Sequence, residues 1–162
     1  MALKSAIDAA SRSHAEAMAA GLGVSVDWAE RSERVAFDYW TPLSAPTLRG
    51  PNAEAPTISI TGPAGLVFGM IESTTEAEVE RLVFDPQQPQ DLGWPDLSSL
   101  KAEHLALVAN SAETQSMTGE ADLATAARRL LQTTPAEVVV TKQAARGCLV
   151  TTADGQEEVG LW

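Results

Sequence analysis

The sequence predicts an α/β protein in which a parallel sheet packs against helices. Strand and helix patterns alternate through the second half of the chain, which is typical of parallel strands joined by helices. Apolar residues make up 44% of the 162 residues, which is enough for the core of a single domain. The first half has strand patterns without helices between them, which predicts a small antiparallel layer there.

The first half begins with a predicted helix at residues 2–21, because alanine is the best helix former and apolar residues recur there every three or four positions. Strand patterns follow at residues 24–28 and 34–40, and a loop rich in Pro, Ser and Gly covers residues 41–56. Two more strands are predicted at residues 57–61 and 66–72, joined by a turn at residues 62–65.

The second half predicts four strands and three helices. The strands cover residues 82–84, 104–109, 138–141 and 148–152, and the helices cover residues 97–103, 111–117 and 123–131. Gly119 and Pro135 end the last two helices. Because parallel strands are covered on both faces, we expect that another part of the chain or a partner completes this thin sheet, or that the chain is a piece of something larger.

The charge balance excludes several classes of partner. Asp and Glu number 22 and Lys and Arg number 11, so the formal net charge is −11. Such acidity argues against binding to nucleic acid or to an anionic membrane surface. The longest apolar run, residues 64–71, is far shorter than the roughly 20 residues that span a bilayer. A single cysteine, Cys148, permits no intrachain disulfide, and we expect a cytoplasmic protein.

Asn110 and Glu113 are the first candidate site residues. They follow the strand at 104–109 and open the next helix, where α/β folds bind ligands and a helix N-terminus favours anions. The carboxylate of Glu113 suits a hydrated Mg²⁺ ion. The alternative is a capping box, in which Asn110 and Glu113 satisfy each other's backbone, and spacing alone favours that alternative.

Two further strand ends carry polar residues. The segment from Thr141 to Gly147 contains Lys142 and lies between two apolar strands, so its amides and its ammonium can approach a phosphate. Its alternative is an ordinary strand connection. Asp85 ends the strand at 82–84 and precedes Pro86, so it either meets a metal or a phosphate-bound water or opens a turn.

A fourth candidate is the aromatic strand at residues 37–40, which contains Asp38 and Tyr39. An aromatic ring stacks on the apolar face of a sugar while a carboxylate accepts hydrogen bonds from its hydroxyls. The alternative is a packed strand with one wet face. These two residues are therefore candidates for sugar binding.

Taken together, residues 23–159 resemble the PfkB family of carbohydrate kinases, which have the ribokinase-like fold. Four segments carry the resemblance in the family's order. They are V-D-W-A-E-R-S-E-R-V-A-F-D-Y-W-T-P-L-S (26–44), L-V-F-D-P-Q-Q-P (82–89), L-V-A-N-S-A-E-T-Q-S-M-T-G (107–119) and E-V-V-V-T-K-Q-A-A-R-G-C-L-V (137–150). The third contains the family's N-x-x-E motif.

The resemblance implies a three-layer α/β/α sandwich with a small β lid, here incomplete, and transfer of a phosphoryl group from ATP to a sugar hydroxyl. It implies a single domain over 1–162, with a lid-like region at 24–72 and a nucleotide-side region at 81–162. Asn110 and Glu113 correspond to the N-x-x-E residues that position Mg²⁺ and the ATP phosphates, with Glu113 at the metal. The implied neighbours of the nucleotide are Thr141, Lys142 and Gly147, and those of the sugar are Asp38 and Tyr39.

The sequence also departs from the family. It contains no Gly-x-Gly-Asp motif, which in the family supplies the catalytic base, and Ala144 stands where the family usually has glycine. We therefore expect a truncated middle portion of a sugar kinase. The alternative is a non-catalytic interaction or regulatory protein derived from the kinase fold, which pairs with a second copy or a completing chain through an open sheet edge.

Overall fold

Two helices packed on a mostly parallel sheet form the part of the fold that carries the polar strand ends. The structure is a computed structural model, and it describes residues 2–4, 16–17, 19–21, 23, 25, 27–29, 36–38, 47–49, 57–69, 74–86 and 96–160. Its strands are β1 (Ala2–Lys4), β2 (Asp27–Ala29), β3 (Ala36–Asp38), β4 (Thr47–Arg49), β5 (Thr57–Phe68), β6 (Thr74–Asp85), β7 (Leu100–Asn110), β8 (Val138–Lys142), β9 (Cys148–Thr152) and β10 (Gly155–Val159). Its helices include α1 (Ser111–Thr118) and α2 (Leu123–Thr133), a 3-10 turn covers Ala144–Arg146, and residues 16–17 and 19–21 are also helical.

Eight of these strands form one sheet, in the order β10-β9-β8-β7-β6-β5-β1-β2. Six of these strands, β2, β1, β5, β6, β7 and β8, pair with one another in parallel. The strands β9 and β10 add an antiparallel edge next to β8. The strands β3 and β4 form a separate antiparallel pair. The predicted α/β class, with helices joining parallel strands, is confirmed.

The core lies between one face of this sheet and the two helices. Phe84, Leu107 and Val139 stand side by side on neighbouring strands and are at most 5% exposed. Ala126 and Leu130 of α2 are fully buried and belong to the same helix that contacts β8 and β9. Each buried leucine contributes roughly 2 kcal/mol through removal of apolar surface from water. This packing holds the strands, and therefore their ends, in fixed positions relative to the two helices.

Both helices begin and end at residues suited to those positions. Asp122 caps α2 by accepting hydrogen bonds from the N–H and the hydroxyl of Thr125, and these bonds lower the pKa of the Asp122 carboxyl. Gly119 ends α1 in a left-handed conformation with φ of 72°, which glycine adopts without steric cost. Neither these helices nor the other described helical residues form a segment long and apolar enough to cross a membrane.

Three sequence predictions of secondary structure are wrong. Residues 57–61 and 66–72 are not two strands joined by a turn, because β5 runs through the Gly62–Pro63 pair and the pairing with β6 simply omits Pro63, which has no N–H. Residues 97–103 are not a helix, because β7 begins at Leu100, which pairs with Ala77. Residues 2–4 are a strand that pairs with β2 and β5, and not the start of a helix.

The expected small antiparallel layer in the first half is also corrected. Among the described residues of that half, only β3 and β4 pair in this way, whereas β2 and β5 belong to the large parallel sheet. Strand patterns without a helix between them are typical of antiparallel neighbours, but β5 and β6 pair in parallel. At the opposite edge the sequence patterns also missed β10, whose side chains are mostly exposed and carry no apolar alternation.

Candidate functional site

Three neighbouring parallel strands end at one edge of the sheet, and each ends on a polar residue. Asp85 is the last residue of β6, Asn110 is the last residue of β7, and Lys142 is the last residue of β8. Asn110 and Lys142 are direct partners in the pairing of β7 with β8. This edge lies at the carboxyl ends of parallel strands, which is where open α/β sheets bind their ligands.

Asn110 and Glu113 hold the first turn of α1 through a capping box. The side chain of Asn110 accepts a hydrogen bond from the Glu113 N–H at 2.9 Å, and the Glu113 carboxylate accepts one from the Asn110 N–H at 2.8 Å. The hydroxyl of Ser111 donates to the Lys142 carbonyl at 3.1 Å, which joins the start of α1 to the end of β8. The capping alternative is therefore confirmed as geometry, and the ligand role of the same residues stays a prediction.

Asp85 and Lys142 form an ion pair between two strand ends. Lys142 Nζ lies 2.5 Å from Asp85 Oδ2. The side chain of Asp85 is 9% exposed and that of Lys142 is 43% exposed, so the carboxylate is largely buried and its lysine partner is partly exposed. A buried carboxylate requires a counter-charge, and Lys142 supplies it.

The charges of these strand ends act on Glu113. Burial is the main cause that raises the pKa of the Glu113 carboxyl above its ordinary value. The hydrogen bond from the Asn110 N–H opposes this rise, the negative charge of Asp85 adds to it, and the positive charge of Lys142 opposes it. Glu113, Asp85 and Lys142 therefore share one electrostatic environment.

Thr141 and Gly147 flank Lys142 and shape its loop. Thr141 is fully buried, and its hydroxyl lies 3.3 Å from that of Thr114 in α1. Gly147 has φ of 92°, and an added Cβ would overlap the carbonyl of Val159 in β10. The Gln143 N–H donates to the Gly147 carbonyl at 2.7 Å, which closes the loop. Both residues thus position the loop, and neither side chain offers a group to solvent.

Ala144 lies in the same loop in an unusual conformation. Its φ is 53°, and among the described residues it alone has a positive φ without being glycine. The left-handed conformation costs an L-residue roughly 1–2 kcal/mol because Cβ approaches the following carbonyl. The family that the sequence resembles usually has glycine at this position. The positive φ of Ala144 is a conformation that suits glycine.

The predicted sugar-binding residues lie largely outside the part of the chain that the structure describes. Asp38 is the last residue of β3 and pairs with Thr47 of β4. The side chain of Asp38 and the whole of Tyr39 lie outside the described residues. The sugar site therefore stays a prediction.

The structure joins three candidates that the sequence left separate. Asp85 and Lys142 are 57 positions apart, so no local pattern could pair them. The signal that pointed to Asp85 was its place before a proline at the end of an apolar strand. Sequence reasoning missed Ser111 and Thr114, whose hydroxyls bind the carbonyls of Lys142 and Asn110, and hydroxyl residues in a first helical turn are the signal that could have found them.

The donor groups at this edge suit a hydrated magnesium ion held through few protein ligands. The described residues contain no group of three or more His, Cys, Asp or Glu side chains that could hold a metal. Of the two carboxylates, Asp85 is paired with Lys142, whereas Glu113 is half-buried and forms no ion pair with another described residue. Mg²⁺ commonly binds one or two carboxylates and completes its shell with waters and substrate phosphates, and Glu113 fits that pattern.

Comparison with solved structures shows which fold the chain shares. No family model and no curated protein matches the sequence. A fructokinase from Vibrio cholerae, solved with fructose, ADP and calcium, matches 98% of the chain with a TM-score of 0.50 and 16% identity, and the same fructokinase as a double mutant with fructose, ADP and potassium matches equally. A PfkB protein from a Polaromonas species matches 51% of the chain and 30% of its own length, with a TM-score of 0.35 and 22% identity.

The chain therefore shares the ribokinase-like α/β fold of this fructokinase. The predicted fold class and the resemblance on which it rested are confirmed at this level. The chain spans 62% of the length of the fructokinase that it matches. At this low identity the likeness establishes the fold, and the activity has to be argued from the site.

Proposed function

We propose that the strand-end site binds ATP with Mg²⁺ and that the chain is a PfkB-type carbohydrate kinase, which transfers a phosphoryl group from ATP to a sugar hydroxyl. The observation that carries the proposal is the convergence of Asp85, Asn110 and Lys142 at the carboxyl ends of three parallel strands. The fructokinase that shares the fold was solved with fructose and ADP, which supports a nucleotide and a sugar as the ligand classes.

Each residue has a distinct part in the proposed site. The partly exposed side chain of Lys142 provides a positive charge for a phosphate, and the first turn of α1, ordered by Asn110, adds its positive dipole end. Glu113 would hold Mg²⁺ through water, and the ion when bound neutralises charge on the phosphates. Thr141 and Gly147 keep the Lys142 loop in place, and Asp38 and Tyr39 remain the proposed sugar contacts.

A second candidate function is a non-catalytic binding or regulatory protein with the kinase fold. It is favoured by the absence of a Gly-x-Gly-Asp sequence from the 162 residues, because deprotonation of the acceptor hydroxyl requires a base. Pairing with a second copy or another chain, and a cytoplasmic location, belong to this proposal as well. Size-exclusion chromatography with light scattering measures the first of these directly.

Calorimetric titration of the folded chain with Mg-ATP tests nucleotide binding. The informative variant is Asn110→Ala, and the matched control is Asp122→Ala, because each removes the cap of one helix. We expect Asn110→Ala to weaken binding by at least about tenfold, the loss of one hydrogen bond to a charged group, and Asp122→Ala to leave binding unchanged. Equal affinities of the two variants, or no binding by the folded wild type, would contradict the proposed site.

A transfer assay then separates the two candidate functions. Incubation with Mg-ATP and fructose, with ADP release as the signal, gives turnover if the chain is a complete catalyst for that sugar. Nucleotide binding without turnover on a panel of sugars favours the non-catalytic candidate.

A further inference from the structure

The counter-charge of Asp85 is provided by the protein itself. The Asp85 residue is 6% exposed, and its Oδ2 atom lies 2.5 Å from Lys142 Nζ. Lys142 reaches this position from the end of the second strand along, because β7 lies between β6 and β8. A buried carboxylate attracts cations strongly, and the ammonium of Lys142 already occupies the position beside Asp85.

A divalent cation and Lys142 cannot both be close partners of this carboxylate without strong repulsion between them. Two positive charges held close together near a protein surface repel each other, and the repulsion doubles when one of them is a divalent ion. Glu113 lies close enough to feel the charges of both Asp85 and Lys142. A metal that approached Glu113 in the absence of other anions would therefore meet the positive charge of Lys142.

We infer that Lys142 is a built-in counter-ion that keeps divalent cations away from Asp85, so that the strand-end site takes up a metal only together with a phosphate-bearing ligand. A bound phosphate gives Lys142 a second anionic partner. Its negative charge offsets the repulsion between the Lys142 ammonium and the metal ion. The inference rests on the proposed function for the identity of that ligand, whereas the exclusion of free metal depends only on Asp85, Lys142 and Glu113.

The simplest competing explanation is that the ion pair only stabilises the fold. In that case substitution of Lys142 changes the free energy of unfolding and leaves metal affinity unchanged. The two explanations therefore differ in a property that does not depend on catalysis or on nucleotide binding.

Titration with Mn²⁺ alone, followed by the electron paramagnetic resonance signal of free Mn²⁺, tests the inference. The informative variants are Lys142→Met, which keeps the apolar stem, and Lys142→Gln, which keeps a hydrogen-bond donor for Asp85. Both remove the positive charge, and Lys142→Gln carries the test if the other variant does not fold. Lys101→Met is the matched control, because Lys101 lies near the opposite end of β7.

We expect Lys142→Met and Lys142→Gln to bind Mn²⁺ at least about tenfold more tightly than the wild type, as removal of one nearby charge predicts. Lys142→Arg, which keeps the charge, and Lys101→Met should match the wild type. Addition of Asp85→Asn to Lys142→Gln should abolish the gain.

Wild-type affinity for Mn²⁺ equal to that of Lys142→Gln would overturn the inference. So would a gain that persists in the Asp85→Asn double variant. If Mg-ATP does not bind but Lys142→Gln gains Mn²⁺ affinity, the exclusion of metal by Lys142 stands and the proposed nucleotide function fails. If Mg-ATP binds and no variant gains Mn²⁺ affinity, the proposed function stands and this inference fails.

Discussion

Asn110 and Glu113 hydrogen-bond each other twice, each through its side chain to the backbone N–H of the other, at 2.9 Å and 2.8 Å. The pair closes the end of β7 and opens α1 in a single turn. The sequence offered a cap and a ligand site as alternatives for these residues. The geometry makes them compatible, because the cap is what holds Glu113 beside Asp85 and Lys142.

Substitutions at Glu113 separate the contribution of its hydrogen bond to the Asn110 N–H from the contribution of its charge. Glu113→Ala removes the hydrogen bond to the Asn110 N–H, and we expect a loss of about 1 kcal/mol in the free energy of unfolding. Glu113→Gln keeps an acceptor oxygen and should retain most of that stability. Urea unfolding followed by circular dichroism measures both. Equal losses in the two variants would show that the charge of Glu113, and not its hydrogen bond, supports the helix.

The pKa of Glu113 predicts a pH dependence of stability. Because burial raises this pKa above 4.5, folded Glu113 holds its proton at a pH where the unfolded chain has released it. Its contribution to stability is therefore complete below pH 4.5 and is lost as the pH rises through the raised pKa of the folded state.

The measurement compares the wild type with Glu113→Gln, which cannot titrate. Between about pH 4 and about pH 7, the wild type should lose free energy of unfolding relative to Glu113→Gln. A difference between the two proteins that is constant over this range would contradict the raised pKa.

Ala144→Gly is expected to stabilise the protein. The φ of 53° at this position strains alanine and suits glycine, so relief of strain outweighs the added flexibility of the unfolded chain by up to about 1 kcal/mol. Ala145→Gly is the matched control, because the φ of Ala145 is not positive and glycine there should destabilise slightly. Thermal denaturation of the two variants gives the sign of each effect. Stabilisation by both, or by neither, would argue against strain at Ala144.

Gly147→Ala should destabilise the protein strongly. The new Cβ would overlap the carbonyl of Val159, and alanine is strained at a φ of 92°. We expect a loss of about 3 kcal/mol or more, or failure to fold. Gly155→Ala is the control, because its φ is also positive but its added Cβ meets nothing within 4 Å. A loss at Gly147 no larger than at Gly155 would contradict the close approach of β10.

Local patterns predicted the part of the fold in which propensity and burial agree. The helices at 111–117 and 123–131 and the strands at 138–141 and 148–152 match α1, α2, β8 and β9 closely. Their ends carry strong local signals, such as Asn110 and Gly119, which act within one turn.

The remaining errors come from pairing between distant parts of the chain. Leu100 became a strand residue because it pairs with Ala77, and Gly62 and Pro63 stayed in a strand because β6 pairs on both sides of them. The contact of Asp85 with Lys142 requires the order of β6, β7 and β8, which no single segment specifies. Candidate residues were therefore visible in the sequence, whereas their assembly into one site depended on the sheet.

The edge strand β10 affects how the protein can pair with other chains. Its exposed residues include Glu157 and Glu158, in a chain whose net charge is −11. Two copies that approach through this edge bring carboxylates together, so replacement of both glutamates by valine should produce assemblies that light scattering detects. This edge therefore disfavours pairing with a second copy through β10. The pairing in the second candidate function would then use the other edge of the described sheet, at β2, or another chain whose strand carries basic side chains.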